Sequence, residues 1–189
     1  VVNEASPYAV FTVSGDSGQA ISLALGRTGV GLGDATLGTD LETSLEYSSN
    51  NGASWTSYVS TNTVTLGGSP LLVRVKINND NPAVYEGPET FTLTAAYVSG
   101  SKVATGLGTI VDDGTGDIFD PDGKKNEIAE KDDDRTLRVN NVVVNEASPY
   151  AVFTVSGDSG QAIKLALGRT GVGLGDATLG TDLETSLEY

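Results

Sequence analysis

Short runs in which apolar and polar residues alternate recur along this chain, and nothing in it keeps a helical period for three turns. Alternation is typical of strands with one buried face, because successive side chains of a strand point to opposite sides of the sheet. In "QAISLAL", Ile21, Leu23 and Leu25 are predicted to face a core. The pattern indicates an all-β protein with strands at residues 8–14, 19–25, 43–48, 54–59, 62–66, 70–78, 89–98, 102–111 and 137–144.

The run "PLLVRVKIN" separates the two faces of a strand most clearly. Leu71, Val73 and Val75 are predicted to point to the core, which leaves Arg74 and Lys76 facing water. A charged side chain is rarely buried without a partner, and this agrees with the assignment.

The chain also repeats its own beginning. Residues 1–47 recur as residues 143–189, at an offset of 142, with Ser22 against Lys164 as the one difference. Near-identity over so long a period is typical of a tandem array, and the lysine predicts that this position faces solvent. Because the chain begins with Val1 and contains no methionine, we expect it to be a segment of a longer protein.

The amino-acid composition excludes several kinds of functional site. The chain has no cysteine and no histidine, which excludes disulfides, zinc sites built from those residues and imidazole-based catalysis, so we expect no enzymatic activity. Twenty-five acidic residues against 11 basic ones give a net charge of −14. Cations are therefore expected as partners, and nucleic acids and membrane insertion are not.

The direction of the strands predicts where the acidic residues meet. If the strands alternate up and down, the connections after Val2, Leu25, Asn78 and Val111 lie at one end, and the opposite end carries a single acid, Asp16. Calcium, which takes six to eight oxygen ligands, would offset the repulsion between such acids; a purely solubilising role is the alternative. The acids predicted at this end are Glu4, Asp34, Asp40, Asp80, Glu86, Asp112 and Asp113.

A strongly acidic segment follows the last strand of the first copy. One interpretation is a disordered linker. In the other, Asp117, Asp120 and Asp122 precede Gly123 as oxygen ligands precede the turn glycine of a calcium loop. The predicted division of the chain is a sandwich at residues 1–113, an acidic inter-repeat linker at 114–135 and the first part of the next, incomplete repeat at 136–189.

Several motifs, in their order along the chain, resemble those of a Calx-beta domain: the glutamate after the first strand, "LGTDL", "VTLGGSPLLVRVKINND", "YEGPETFTL" and "GTIVDD". The resemblance covers nearly all of residues 1–113. It implies an immunoglobulin-like antiparallel β-sandwich that binds calcium at one end. The ligands that it implies are Glu4, Asp40, Asp80, Glu86, Asp112 and Asp113, with Glu146 in the second copy; Glu89 belongs to the same motif.

The near-identical repeat, the missing cysteine and the acidic balance also resemble the repeat regions of large secreted bacterial adhesins and surface fibres. This resemblance implies an extracellular structural module at the cell surface, rigidified by calcium at the repeat junctions. Its partners would be neighbouring copies of itself, joined head to tail along one polypeptide or between chains by strand complementation.

Two other functions are compatible with the sequence. A binding module that recognises a glycan or a cell surface would need exposed aromatic residues, for which Tyr47, Trp55 and Tyr58 are the candidates, although packing is the commoner role of such residues in a sandwich. A self-processing function would use the acid-labile Asp120–Pro121 bond or an isopeptide formed by a lysine.

Overall fold

The structure, a computed structural model, describes residues 1–29, 33–169, 171 and 177–189. It forms two compact units, Val1–Ser159 and Gly160–Tyr189. Within the described part of the chain every regular element is a strand, so the predicted all-β class is confirmed. No helix capable of spanning a membrane occurs among these residues.

The first unit is a β-sandwich of a five-stranded and a four-stranded sheet. Most strands lie where alternation predicts them. The exception is the strand predicted at 137–144, where only Arg138–Val139 form a strand. In spatial order, the larger sheet contains β1 (Val2–Asn3), β9 (Val103–Val111), β8 (Glu89–Tyr97), β3 (Ala20–Arg27) and β6 (Val64–Thr65). The smaller sheet contains β2 (Tyr8–Val13), β7 (Leu71–Ile77), β4 (Leu41–Ser48) and β5 (Thr56–Tyr58). A separate pair is formed by β10 (Arg138–Val139) and β11 (Val155–Ser156).

The core lies between the two sheets. The predicted inward residues of β3 and β7 are buried, and Leu25, at the end of the β3 series, is partly buried. Phe91 is fully buried and meets Phe11 edge to face, with ring centroids 5.7 Å apart. Gly108 on β9 allows this packing, because a Cβ there would overlap the Phe91 ring. This contact joins the two sheets, since Phe11 lies on β2 and Phe91 on β8.

The pairing of the strands places several chain connections at one end. β1 runs parallel to β9, with Val2 opposite Ile110, so both strands finish at the same edge. β8 is antiparallel to β9 and begins at that edge with Glu89. Glu4 follows β1 and Asp112 follows β9 directly. The strand directions therefore bring acids from distant parts of the sequence to one end of the sandwich.

The prediction that Arg74 faces water is wrong. Arg74 does lie on the outer side of β7, yet it is only 7% exposed. Its guanidinium stacks over the ring of Tyr8 at 3.8 Å and over that of Trp55 at 4.1 Å. It also bonds to Glu46, with Nε and Oε2 2.7 Å apart, and donates to the backbone oxygen of Pro121. The arginine is buried because an ion pair and a later chain segment cover it.

That later segment, residues 114–135, is held against the sandwich by backbone and side-chain hydrogen bonds. Asn3 is fully buried, donates from its backbone N–H to the oxygen of Asp117 at 2.9 Å, and accepts the N–H of Asp132 at 2.7 Å through Oδ1. Phe119 donates its N–H to the Ser6 hydroxyl at 2.9 Å. The acidic segment therefore lies along the first copy before the chain continues into the second.

The second copy differs from the first. Its described residues after Gly160 contain no strand, and an isolated bridge joins Leu179 to Leu183. Lys164 is exposed there, as its charge predicts, while Ser22 at the equivalent position of β3 is half-buried.

Candidate metal centre at one end of the sandwich

A first group of three acids combines the start of the sandwich with the acidic segment. Carboxylate oxygens of Glu4, Asp132 and Asp134 all lie within 4.8 Å of one another. Asn3 fixes Asp132 through the hydrogen bond described above, and the backbone N–H of Asp134 donates to the backbone oxygen of Asp112 at 2.8 Å. Backbone contacts thus set the positions of these acids.

A second group of three acids lies at the same end. Carboxylate oxygens of Asp40, Glu86 and Glu89 also fall within 4.8 Å of one another. Asp40 is buried just before β4, where its side chain accepts the N–H of Thr36. The backbone oxygen of Asp40 accepts the N–H of Asn78 at 2.9 Å, which ties this loop to the end of β7.

Asp112 connects the two groups. Its Oδ2 accepts the backbone N–H of Glu86 at 2.7 Å, and its backbone oxygen accepts that of Asp134. The residue is only 2% exposed, and its Oδ1 is buried without a hydrogen-bond partner; the same holds for Oδ2 of Asp134. A buried oxygen without a partner is costly, and a bound cation supplies the missing interaction.

Burial and mutual repulsion shift the protonation of these acids. Burial raises the pKa of Glu4 to about 8, with further increases from the negative charges of Asp80, Asp132 and Asp112. Burial, followed by the nearby charge of Asp40, raises the pKa of Glu89 to about 7. The pKa values of Glu86, Asp132 and Asp134 are raised as well, first by burial and then by neighbouring carboxylates.

Some acids elsewhere in the first unit have basic partners, whereas these do not. Asp34 bonds to Arg27 at 2.8 Å and Asp133 to Arg135 at 2.7 Å. Among the residues that the structure describes, neither three-acid group nor Asp112 forms a salt bridge. Carboxylates that lack a positive partner, of which Glu4, Asp40 and Asp112 are buried, are the donor set that a hard cation requires. The clusters are therefore able to hold a metal ion.

The structure brings together five of the predicted ligands: Glu4, Asp40, Asp80, Glu86 and Asp112. Asp80 joins the group through its backbone N–H, which donates to Oε1 of Glu4 at 3.0 Å. Each of the five comes from a connection that strand direction predicts at this end. Glu89, which the resemblance includes without a defined role, completes the second group.

The other predicted ligands lie outside both groups. Asp117 pairs with Lys125 at 2.7 Å and Asp122 with Lys124 at 2.6 Å, while Asp120 accepts the side-chain amide of Asn126 at 2.9 Å. Each carboxylate of the calcium loop that the sequence suggests therefore contacts a nearby lysine or asparagine. Asp113 accepts the N–H of Thr115, and Glu146 is exposed in the second copy.

Asp132 and Asp134 are site residues that the sequence does not single out. They stand in a run of three aspartates before Arg135, where the middle one, Asp133, pairs with the arginine. The only sequence signal is that Asp132 and Asp134 are two positions apart, so their side chains point to the same side of an extended chain. Their approach to Glu4 depends on the path of residues 114–135 over the sandwich.

Two of the three aromatic candidates for ligand binding, Trp55 and Tyr58, have structural roles, and the third, Tyr47, is partly buried against the core. Trp55 stacks on Arg74 and lies against Gly123, and its indole Nε1 is buried without a hydrogen-bond partner. The hydroxyl of Tyr58 accepts the N–H of Leu23 at 2.9 Å and donates to the oxygen of Asn62. Neither ring is arranged as an open stacking platform.

Comparison with protein-family models, with curated proteins and with solved structures gives no match to this chain. The functional argument therefore depends on the fold and on the carboxylates at this end of the sandwich.

Proposed function

We propose that this chain is a calcium-binding structural repeat of an extracellular protein at the cell surface, with an immunoglobulin-like sandwich of the Calx-beta type. In this proposal neighbouring copies of the repeat are the partners, joined head to tail, and the role is mechanical rather than enzymatic. The observation that carries it is the buried, unpartnered Oδ1 of Asp112 between two groups of acids.

Calcium suits this donor set better than magnesium. The two groups and Asp112 offer seven carboxylates from loops of different parts of the chain. Calcium accepts six to eight oxygens in flexible geometry, whereas magnesium demands a strict octahedron and keeps several waters. We infer two adjacent subsites, one for each three-acid group, that share Asp112. Extracellular sites of this kind bind with dissociation constants of about 10⁻⁴ to 10⁻³ M, so they fill outside cells.

The mechanical effect follows from where the ligands lie in the sequence. Glu4 stands at the beginning of the sandwich, whereas Asp132 and Asp134 are at the end of the segment that leads to the next copy. An ion bound between these carboxylates would hold the acidic segment, residues 114–135, against the sandwich. Without the ion, burial and then mutual repulsion raise the pKa values of these acids, so keeping the charged carboxylates together is unfavourable and release of the segment is favoured. Calcium would thus convert a flexible connection into a fixed one.

A calcium titration of the full chain, followed by calorimetry and thermal unfolding, tests the proposal. At about 100 times Kd, one bound ion should stabilise the folded state by about 2.7 kcal/mol. Asp112→Asn should weaken calcium binding by at least about tenfold, because it removes the carboxylate that both subsites share. Asp16→Asn is the matched control, since Asp16 lies at the opposite end and pairs with Lys102.

The proposal would be contradicted if calorimetry of the unaltered chain showed no heat of calcium binding. It would also be contradicted if Asp112→Asn bound calcium as the unaltered chain does. Limited proteolysis gives a second readout. Calcium should slow cleavage within residues 114–135 in the unaltered chain and in Asp16→Asn, and it should do so much less in Asp112→Asn.

A further inference from the structure

The residues that precede the second copy form a strand that pairs with it. Arg138 of β10 lies opposite Ser156 of β11, and Val139 lies opposite Val155, in antiparallel register. The pairing continues at Asn140, whose backbone N–H donates to the oxygen of Thr154 at 3.1 Å. The N–H of Thr154 in turn donates to Oδ1 of Asn140 at 2.7 Å. The N–H and C=O of Thr154 therefore both point to the added strand.

The same sequence occurs in the first copy with that edge unpaired. Subtracting the repeat offset places Thr154 and Ser156 on Thr12 and Ser14. Thr12 lies in β2, the edge strand of the four-stranded sheet, which pairs with β7 on its other side. Among the described residues no further strand is hydrogen-bonded to β2. An open edge of this kind is a template for another strand.

We propose that the free edge of β2 at residues 12–14 binds a strand with the sequence of residues 136–142, "TLRVNNV", from another copy of this chain. The register seen in the second copy then sets Val139 opposite Val13 and Arg138 opposite Ser14. In a tandem array, the preceding repeat supplies the strand. The inference rests on the repeat function proposed above and identifies the contact that joins one copy to the next.

Side-chain chemistry agrees with this register. Val13 is partly buried against the core, so the opposing Val139 adds apolar surface on the core side of the sheet. In the second copy a Cβ on Gly157 would be 3.3 Å from Leu137 Cδ1; at the equivalent Gly15 the side chains of Tyr97 and Leu66 line this space, and Leu137 would pack beside them. Leu137 and Val139 are 62% and 56% exposed in this chain, so they have apolar surface left to bury.

The contact is directional, and this decides the type of assembly. The donor strand lies after the sandwich and the acceptor edge lies at its beginning, so the surfaces are different parts of the chain. A heterologous contact of this kind forms an open filament unless the rotation between copies closes a ring. Each added strand covers the exposed edge of β2 and itself becomes the new edge of the sheet.

Amide hydrogen exchange on an extended full chain tests the inference. "TLRVNNV" is joined directly before Val1, and the control carries the same extension with proline in place of the asparagine that corresponds to Asn140, which donates its N–H to Thr154 and accepts the Thr154 N–H. Proline lacks the N–H and cannot continue a strand pairing. We expect exchange of the Thr12 amide to slow by at least about tenfold in the extended chain and to stay unchanged in the proline control.

Equal exchange of the Thr12 amide in both extended chains would overturn the inference. A second measurement follows assembly of the unextended chain by light scattering at rising concentration. Oligomers should form in the unextended chain and should be reduced by Asn140→Pro and by the native extension, which fills the acceptor edge. All measurements are repeated in chelator, so that loss of strand addition is distinguishable from loss of calcium binding.

Discussion

Residues 1–47 and 143–189 have nearly the same sequence but different structures. In the first copy Ile21 is 1% exposed within β3, paired on both sides. In the second copy the equivalent Ile163 is 46% exposed and lies outside any strand. The strands that bury the first copy, β7, β8 and β9, come from residues 71–111, outside the stretch that is present twice. Strand formation here depends on the partner strands more than on local preference.

The acidic residues show the same contrast. Glu4 is buried beside Asp132 and Asp134, whereas the equivalent Glu146 is exposed. The glutamate itself is the same in both copies. The acids and the acidic segment that make this position part of a cluster come from outside the stretch that is present twice.

The largest difference between the copies should come from the core. Ile21→Ala should reduce the free energy of unfolding by about 2–5 kcal/mol, because it leaves a cavity in a packed interior. Ile163→Ala removes the same atoms from an exposed position and should change stability by less than about 0.5 kcal/mol. Urea unfolding of the two variants measures both values. Equal losses would show that the second copy is packed like the first.

The second-largest difference between the copies should be in calcium binding. Glu4→Gln should weaken binding by at least about tenfold, and the stabilisation of about 2.7 kcal/mol expected at 100 times Kd should be correspondingly reduced. Glu146→Gln makes the identical chemical change in the second copy and should leave the titration unaltered. Calorimetry of both variants measures the difference. A comparable loss in each variant would argue against a site confined to the first copy.

The pH dependence of stability should be a smaller effect. The pKa of Glu4 rises from 4.5 to about 8 on folding, and that of Glu89 rises from 4.5 to about 7. In this range the folded state binds more protons than the unfolded state, so calcium-free stability should fall as pH increases from about 5 to 8. Urea midpoints in chelator measure the trend, which Glu4→Gln should flatten and Glu146→Gln should not. Stability that increases with pH would contradict these shifts.

The smallest effect should come from the position where the copies differ. Ser22→Lys places in β3 the residue that the second copy carries at Lys164. Ser22 is half-buried on the side of β3 away from Ile21 and Leu23, so a lysine can extend its ammonium to water. We expect a change within about 0.5 kcal/mol in urea unfolding. A loss above 2 kcal/mol would show that this face of the sheet is covered.

Residue patterning by itself determined much of the first copy. Alternation gave the strands and their inward faces because the side-chain period of a strand is a local property. Strand direction then placed Glu4, Asp40, Asp80, Glu86 and Asp112 at one end, since each connection inherits its position from the strands that it joins.

Only the tertiary structure decided the rest. Arg74 is buried because the chain returns over the outer face of β7, and Asp132 and Asp134 join Glu4 because Asn3 holds that returning segment. Asp117 and Asp122 resemble calcium ligands in sequence, and in the structure each forms an ion pair with a nearby lysine. The two copies differ for the same physical reason. Residues take their environment from the segments packed against them, and those segments lie far away in the sequence.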